Sequence, residues 1–435
     1  MKILVVDANA LALDFCLRAI AVGHEVKWFI RDRGRSERDI GKGLVPKVND
    51  WTAHMRWADL IFVPDNAAYM QQLQWYHDKG FPVYGATEAT AKWELERNTG
   101  MDVLKAAGVR VVDGVPFSSF QKAAEYVKRT DARYVCKPDG DVDKALTYVA
   151  KSPEDMVYML ETWAKTRPAT EFILQPFVPG IEMAVGAWVG PNGFASPWNE
   201  NFEFKKLMPG DNGPATGEQG TIMRYVEQSK LADKVLKPLE QMLVDNGHIG
   251  YVDVNCIIDE KGNPVPLEFT MRPGWPHFNI AQQLHTDIAQ WMVESLYGHD
   301  VGDYFITDDI AAGFVVSIPD YPYGKMSRKE VSGVPIYGID ANQRSIHLCE
   351  AKAGSAPQKI GKTIKAAPII VSAGVYLLVT ACAAPTVSAA AKAAEKVAKS
   401  LVIPCSPMWR VDIGQRLQSQ LPKLQAMGYA KGMKF

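Results

Sequence analysis

The sequence predicts a protein of mixed α/β and α+β class, with an N-terminal parallel-sheet domain, a core of two α+β subdomains and a small C-terminal α+β domain. Three observations favour it. The 435 residues are enough for about two to four domains. Short apolar runs alternate with amphipathic stretches over residues 1–100, which is typical of parallel strands covered by helices. Beyond residue 305, strand-like runs are separated by loops rich in Gly, Pro and Ser.

The composition excludes several classes of protein. The chain has 48 Lys+Arg against 49 Asp+Glu, so it shows no basic footprint for nucleic acid. Its six cysteines are scattered, which disfavours a zinc site or a disulfide framework. The apolar run at residues 3–6 is too short for a secretion signal, and the stretch at 369–384 is interrupted and falls short of a membrane span, so we interpret it as buried strand. We therefore expect a cytoplasmic monomer or homodimer that acts on small molecules, without a membrane partner.

The predicted elements divide the chain into domains at 1–100, 101–305 and 306–435, with a mobile lid subdomain at about 115–180. The first domain has strands at 3–6, 25–30, 60–63 and 82–84, and helices at 11–22 and 69–77. The second has strands at 133–137, 172–174, 182–189, 251–258 and 266–269, helices at 153–164 and 231–246, and a long glycine-rich loop at 209–220. The third has strands at 311–317, 346–348 and 374–380 and a helix at 387–400. The turn-forming residues 259–263 predict a hairpin between the two strands that they join.

The predicted hairpin carries the strongest local signal for chemistry. Residues two apart on a strand share a face, so Glu268, Thr270 and Arg272 project together, as do Asp253 and Asn255 on the preceding strand. Carboxylate and amide oxygens suit Mg²⁺, or Mn²⁺, carrying nucleotide phosphates, and an arginine beside them can neutralise a phosphoryl oxygen. The other interpretation is a surface hairpin whose polar residues are merely solvated.

Two further segments have side chains suited to a nucleotide. Lys137 ends a strand and Lys144 follows within a loop, so both could reach phosphates, although most isolated lysines are only exposed. The segment from Gln175 through Phe177 and Val178 to Glu182 is an extended hinge. Its backbone could meet an adenine edge and Glu182 could accept ribose hydroxyls, but such a segment is more often a simple connection.

The order of these segments along the chain resembles the ATP-grasp superfamily, in which a strand lysine, a Pro-Gly-x-Glu hinge and a Leu-Glu-Phe-x-x-Arg strand follow one another. In that superfamily two α+β subdomains hold ATP, and a carboxylate is activated as an acyl phosphate before an amine or thiol attacks it. The N-terminal domain then corresponds to a pre-ATP-grasp domain.

Within that superfamily the chain resembles the glycinamide ribonucleotide synthetase family. Residues 135–140, VCKPDG, are similar to its V-x-K-x-D-G strand, and residues 267–272, LEFTMR, to its L-E-F-N-x-R. Residues 211–220, DNGPATGEQG, resemble its D-x-G-P-N-T-G-G-M-G loop. Residues 409–414, WRVDIG, are similar to the Y-R-x-D-I-G near its C-terminus, so the resemblance spans the whole chain.

The resemblance implies a role for each candidate residue. Lys137 and Lys144 would hold ATP phosphates, with Lys144 and Arg272 as catalytic residues. The hinge would hold adenine and Glu182 the ribose. Mg²⁺ would be bound by Glu268 with Asn255, Asp253 and Thr270, and the glycine-rich loop would cover the amine. The implied substrate-binding residues are Asp211, Pro214, Thr216, Gly217, Arg272 and Gly274.

The chain also departs from the family pattern. The family's N-terminal G-x-G-G-R-E-H-A turn is DANALALD at residues 7–14, so a close backbone approach to an anion is lost. The family's early S-K falls at 98–99, with Arg97 as the nearest cation, and its lid glycines are replaced over 141–146. Thr270 replaces the metal-binding asparagine, and residues 273–276, PGWP, replace F-G-D-P-E.

Three hypotheses follow. The first is an ATP-dependent ligase that joins a carboxylate to an amine by an amide bond, with a substrate that need not be phosphoribosylamine. The second is a true phosphoribosylamine–glycine ligase that tolerates the changes, and the third is a non-catalytic binding or scaffold protein that keeps the fold. Because the altered turn is apolar and lacks a basic residue, we expect phosphoribosylamine and glycine to be a poor substrate pair.

Overall fold

The computed structural model describes residues 1–31, 36–138, 147–299 and 308–435 of the chain. These residues form four sheets flanked by helices, which confirms the predicted mixed class. The predicted turn at 139–140, the lid residues 141–146 and therefore Lys144 lie outside the described residues. No helix in the described part is both long and apolar enough to cross a bilayer.

The N-terminal sheet is parallel, as predicted. Its elements are β1 (Lys2–Asp7), α1 (Leu13–Ala21), β2 (Glu25–Ile30), β3 (Lys47–Val48), β4 (Leu60–Phe62), α2 (Met70–Asp78) and β5 (Val83–Tyr84). The strand order is β3-β2-β1-β4-β5, and every neighbouring pair is parallel. Residues 3–6 of β1 are buried on both faces, because helices cover both sides of such a sheet. Two helices, α3 (Glu88–Leu95) and α4 (Arg97–Ala106), lead to the next domain.

A small antiparallel sheet forms the region predicted as the lid. Its elements are β6 (Val115–Phe117), α5 (Phe120–Thr130), β7 (Tyr134–Pro138), β8 (Tyr148–Val149), α6 (Pro153–Thr166) and β9 (Phe172–Pro176). The strands lie in the order β6-β9-β7-β8, and α5 and α6 bury a core that contains Phe120, Phe172 and Trp163. The sheet therefore has its own hydrophobic core, as a separate subdomain requires.

The largest sheet has eight strands and carries the candidate site. Its first part comprises β10 (Gly180–Gly190), β11 (Gly193–Met208), β12 (Asn212–Val226), α7 (Lys230–Val235), α8 (Glu240–Asp245), β13 (Gly250–Asp259), β14 (Pro264–Thr270), α9 (His277–Ala281) and α10 (Ile288–Leu296). Its second part comprises β15 (Ile310–Ser317), α11 (Arg328–Val331), β16 (Ile346–Leu348), β17 (Ala351–Ile360), β18 (Thr363–Ser372), β19 (Tyr376–Ala384), α12 (Val387–Ser400) and α13 (Leu417–Ala426).

The order of the large sheet is β14-β13-β10-β11-β12-β15-β19-β16, and each neighbouring pair is antiparallel. Strands from both sides of residue 305 therefore share one sheet, and the predicted domain boundaries stay a prediction. The strands β17 and β18 form a separate two-stranded ribbon.

The prediction of a glycine-rich loop at 209–220 is wrong. Residues from 212 onward form β12, which pairs with β11 in a long hairpin whose tip holds Gly210 and Gly213 at positive φ. The sequence hid this strand because Gly, Pro and Asn are poor strand formers and because β12 pairs irregularly, with two register shifts. Pairing with β11 stabilises β12 although its residues have a low strand propensity of their own.

Two other elements are broken where the sequence predicts continuity. The predicted helix at 231–246 is interrupted by a 3₁₀ turn, Lys237–Leu239, because Pro238 has no amide hydrogen to donate. The apolar stretch 369–384, interpreted as buried strand, contains a turn between β18 and β19. The sequence analysis also missed β11 and the β17–β18 ribbon.

Candidate active site

A row of polar side chains lies on one face of the large sheet. Every second residue of one stretch of β11 is polar, so these side chains project to the same side of the sheet. They are Asn199, Asn201, Glu203 and Lys205. In the β13–β14 hairpin, which β10 separates from β11, Asn255 lies opposite Glu268, and Asp253 lies opposite Thr270. Directly opposed residues of an antiparallel pair share a face. The predicted hairpin and the predicted shared face are therefore confirmed, except that Arg272 lies beyond the end of β14.

Lys205 is the centre of an ion-pair cluster on this face. Its Nζ lies 3.1 Å from Glu182 Oε1, 3.0 Å from Glu203 Oε2 and 3.3 Å from Glu268 Oε1. Burial alone would lower the pKa of Lys205, but the three carboxylates hold it well above its usual value. Lys205 in turn lowers the pKa of Glu268 to about 2, so Glu268 is ionised at any working pH.

Sequence reasoning missed Lys205 and Glu203. The signal that could have found them is the alternation of polar residues with Phe202 and Phe204, which is the period of a half-buried strand. Arg97 adds a second cation: its Nη1 donates to the Leu267 carbonyl at 3.1 Å, and its Nη2 lies 3.7 Å from Glu268 Oε2. Arg97, the cation nearest to residues 98–99 in the sequence, therefore lies beside Glu268.

Asn255 and Glu268 together fit a hard divalent cation. The Asn255 amide nitrogen donates to Glu182 at 2.8 Å and to Glu203 at 2.9 Å, while its buried Oδ1 has no hydrogen-bond partner in the described part of the chain. An ionised carboxylate opposite an unpartnered amide oxygen is a suitable pair of ligands for Mg²⁺ or Mn²⁺. No three His, Cys, Asp or Glu side chains of the described residues form a closed metal site. Phosphate oxygens or water would therefore have to complete the coordination.

The other two predicted metal ligands are placed differently. Asp253 Oδ2 already accepts hydrogen bonds from Asn201 Nδ2 at 2.8 Å and from Tyr251 OH at 3.2 Å. Burial, followed by the negative charge of Glu203, raises the pKa of Asp253 to about 7. Thr270 lies opposite Asp253, two residue pairs further along the ladder than Glu268. The Asn255–Glu268 pair therefore fits a metal ion better than the Asp253–Thr270 pair.

The residues predicted to hold the nucleotide lie on the lid sheet and at its junction with β10. Lys137, in β7, is 8% exposed, and burial followed by the charge of Arg97 lowers its pKa to about 7. Gln175, in β9, donates to the Val112 carbonyl at 2.6 Å. Phe177 packs under the Arg133 guanidinium, 3.4 Å from the ring centre, and its amide donates to the Arg133 carbonyl. Val178 follows in the connection to β10, so Lys137 and the hinge share one small subdomain.

Arg272 is paired with the N-terminal region rather than with Lys205 or its carboxylates. Its Nη2 donates to Glu94 Oε1 at 3.0 Å, and its Nη1 donates to the Pro273 carbonyl. Glu94 also accepts the Met271 amide at 2.6 Å. Gly274 follows in the turn before α9, where its carbonyl accepts the Phe278 amide.

The predicted substrate loop is fixed by the C-terminal segment. Asp211 lies 2.8 Å from the buried Arg410, which also binds Asp412 and donates to the Lys206 carbonyl. Thr216 donates to the Lys205 carbonyl at 2.8 Å. Pro214 and Gly217 lie in β12, whose tip this network holds. The WRVDIG segment therefore positions the hairpin that carries Lys205.

Comparison with known proteins identifies a matching family model, similar sequences and similar folds. The family model of the phosphoribosylglycinamide synthetase ATP-grasp (A) domain matches residues 97–277, which include Arg97, Lys205 and the Asn255–Glu268 pair. Residues 97–277 of the chain are therefore similar to an ATP-grasp domain. Its fold resembles the crystal structure of phosphoribosylamine–glycine ligase from Thermotoga maritima, with a TM-score of 0.69 over 95% of this chain and 100% of the other, at 17% identity.

Two further relatives define how far the likeness extends. Phosphoribosylamine–glycine ligase of Streptococcus pneumoniae strain R6 is 25% identical over 272 residues, which is 60% of this chain. The match spans 64% of that relative, slightly less than two thirds of its length. The crystal structure of an L-amino acid ligase from Bacillus licheniformis shares the fold, with a TM-score of 0.57 at 14% identity over 93% of this chain and 99% of the other.

The N-terminal turn of the chain is closed by its own carboxylate. Asp7, at the end of β1, is fully buried and accepts hydrogen bonds from the amides of Asn9 (3.1 Å) and Ala12 (2.8 Å) and from Trp28 Nε1 (3.2 Å). Backbone amides at the start of a helix after a parallel strand are where such sheets bind anions. In this chain the amides of Asn9 and Ala12 already donate to the Asp7 carboxylate.

Proposed function

We propose that the chain is an ATP-dependent ligase that joins a carboxylate to an amine through an acyl phosphate. The observation that carries the proposal is the Asn255–Glu268 pair beside Lys205, on the sheet face of an ATP-grasp domain. The names of the relatives support the same class of reaction.

Each side chain has a role in this proposal. Glu268 and Asn255 hold Mg²⁺, which when bound neutralises phosphate charge. Lys205 keeps the three carboxylates around it from repelling one another, so Glu268 is positioned and ionised before the nucleotide arrives. Lys137 and Arg97 offer positive charge to the phosphates, and the hinge 175–178 offers backbone groups to the adenine. Once the Arg272 side chain has left Glu94, it stabilises the phosphoryl group that is being transferred.

Asp7 argues for an amine without a phosphate group. A second anion brought to the N-terminal turn would meet a buried carboxylate instead of free amide hydrogens. The alternative, a true phosphoribosylamine–glycine ligase, is favoured by the name of the pneumococcal relative. The two differ in substrate and not in mechanism.

The test is a screen of ATP consumption. The purified chain is incubated with Mg-ATP and pairs of amino acids and amines, with release of ADP and phosphate as the first readout and mass spectrometry of the amide product as the second. We expect an amide from an unphosphorylated pair. Formation of glycinamide ribonucleotide at kcat/KM of ~10⁴ M⁻¹s⁻¹ or above would establish the alternative. Absence of any ATP-dependent product would refute the ligase proposal.

A further inference from the structure

Two buried carboxylates, Asp253 in the row of polar residues and Glu218 on β12, lie outside the ion-pair cluster of Lys205. Glu218 is 6% exposed and Asp253 is 5% exposed. Within the ranges that the structure describes, neither forms an ion pair with Lys, Arg or His. Lys205 is already surrounded by three other carboxylates. A buried carboxylate without a cation either stays protonated or awaits a cationic ligand.

Among the described residues, the hydrogen bonds to both carboxylates come from neutral donors. The Thr221 hydroxyl donates to Glu218, and Asn201 Nδ2 and Tyr251 OH donate to Asp253. Thr221 lies directly opposite Glu203 in the β11–β12 ladder, so Glu218 is held on the sheet face that also carries Asn201 and Glu203. The nearby ammonium of Lys205 is bound to three other carboxylates.

A third group needs a donor at the same place. Asn201 is 1% exposed, and its carbonyl oxygen has no hydrogen-bond partner among the described residues, although its amide nitrogen binds Asp253. Its neighbour across the ladder is Ala184, whose methyl group cannot donate. An unpartnered buried acceptor beside two carboxylates indicates a ligand rich in donors.

We propose that Glu218, Asp253 and the Asn201 carbonyl oxygen form a subsite that binds the ammonium group of the amine substrate. An ammonium has one positive charge and three N–H donors, which suits two carboxylates and an amide oxygen. As a substrate subsite the cluster rests on the proposed ligase function, but its affinity for a cation can be tested alone.

The position of the subsite fits this use. Asp253 is two residues from Asn255 on β13, so their side chains are about 7 Å apart on the same face. An amine held there lies beside the metal–phosphate site without entering it. Glu218 stands where the resembled family's G-P-x-T-G-G motif has glycine, so this side chain is a feature of this chain.

The first experiment measures binding without turnover. The full chain is titrated calorimetrically with ethylamine, 1,4-diaminobutane and L-alanine, and with 1,4-butanediol as an uncharged analogue. We expect saturable binding of at least one amine and none of the diol. The variants Glu218→Gln and Asp253→Asn should weaken that binding at least tenfold, whereas Glu260→Gln, at the exposed turn between β13 and β14, should not change it. Absence of binding by all three amines, or equal binding by Glu218→Gln, would overturn the proposal.

The second experiment separates this inference from the ligase function. In the amide-forming assay, Glu218→Gln should raise KM for the amine at least tenfold and leave KM for ATP within twofold. An unchanged amine KM refutes the subsite and leaves the ligase intact, whereas amine binding that depends on Glu218 in a protein that forms no amide refutes the ligase alone. Weakened Mn²⁺ binding in Glu218→Gln, with amine binding unchanged, would assign the cluster to a metal instead. Since the variant removes an uncompensated buried carboxylate, we expect its thermal unfolding midpoint to be no lower than that of the parent.

Discussion

Two groups of carboxylates on the same sheet face behave in opposite ways. Glu182, Glu203 and Glu268 surround Lys205, and the pKa of Glu268 falls to about 2. Asp253, two residue pairs away from Glu268 along the β13–β14 hairpin, has a pKa of about 7. The strands and the residue type are similar, but the charges of Lys205, Arg97 and Lys137 lower the pKa of Glu268, whereas burial and the charge of Glu203 raise that of Asp253. We infer that the chain itself completes the first group electrostatically and leaves the second for a ligand.

Removal of Lys205 should have the largest effect. In Lys205→Met the three carboxylates lose their common partner, so we expect turnover with ATP to fall at least 100-fold. We also expect the free energy of unfolding to fall by about 2 kcal/mol, a modest value for an ion-pair cluster because these side chains are partly exposed. Steady-state kinetics and urea denaturation measure the two effects. Lys206→Met, the next residue on the strand, is the control, and equal behaviour of the two variants would contradict a special role for Lys205.

Removal of Glu268 should abolish turnover while leaving the fold intact. Glu268→Ala deletes an ionised carboxylate, the proposed metal ligand, whose side chain is 44% exposed, so no core cavity forms. We expect kcat/KM to fall at least 100-fold, as when a group that stabilises the transition state is lost, with an unchanged circular dichroism spectrum. The control is Glu260→Ala. Activity within about threefold of the parent would place the metal site elsewhere.

Asp7 extends the comparison to a carboxylate that is held by N–H donors. Burial raises its pKa from 3.8 to about 6 although four donors oppose the shift. A raised folded-state pKa adds stability that is complete below pH 4 and is lost as the pH rises through 6. We therefore expect the parent to lose up to about 3 kcal/mol of unfolding free energy between pH 4 and pH 7 relative to Asp7→Asn.

Urea denaturation at several pH values measures this loss. The surface variant Asp59→Asn should follow the parent. A parallel course of the Asp7→Asn and parent curves would show that Asp7 is ionised throughout this pH range.

Thr270→Asn should have the smallest effect. The amide oxygen of asparagine is a better Mg²⁺ ligand than a hydroxyl, so we expect the Mg²⁺ concentration for half-maximal activity to fall a few-fold. Thr270→Val, which keeps the shape but removes the oxygen, should raise it or leave it unchanged. A large loss of activity in Thr270→Asn would mean that the hydroxyl has its own contact with substrate.

The fold was largely predictable because its signals are local. Alternating apolar runs predicted the parallel sheet, and the turn at 259–263 predicted the pairing that places Asn255 opposite Glu268. Local signals failed at β12, where poor strand formers are held by pairing with β11 and by Arg410. They also failed for Lys205, since its significance comes from carboxylates that are 23 and 63 residues away in the chain.

The sequence by itself determined which residues share a face within a strand or a hairpin, because the period of two is fixed by the backbone. It also determined the order of the segments that are proposed to bind the nucleotide. Only the tertiary structure decided that β10, β11, β13 and β14 lie side by side, that Lys205 therefore joins Glu182, Glu203 and Glu268, and that Arg272 turns to Glu94. The physical reason is that the pairing of strands distant in the chain depends on packing of the whole sheet, and a charge acquires its pKa from whatever that packing places beside it.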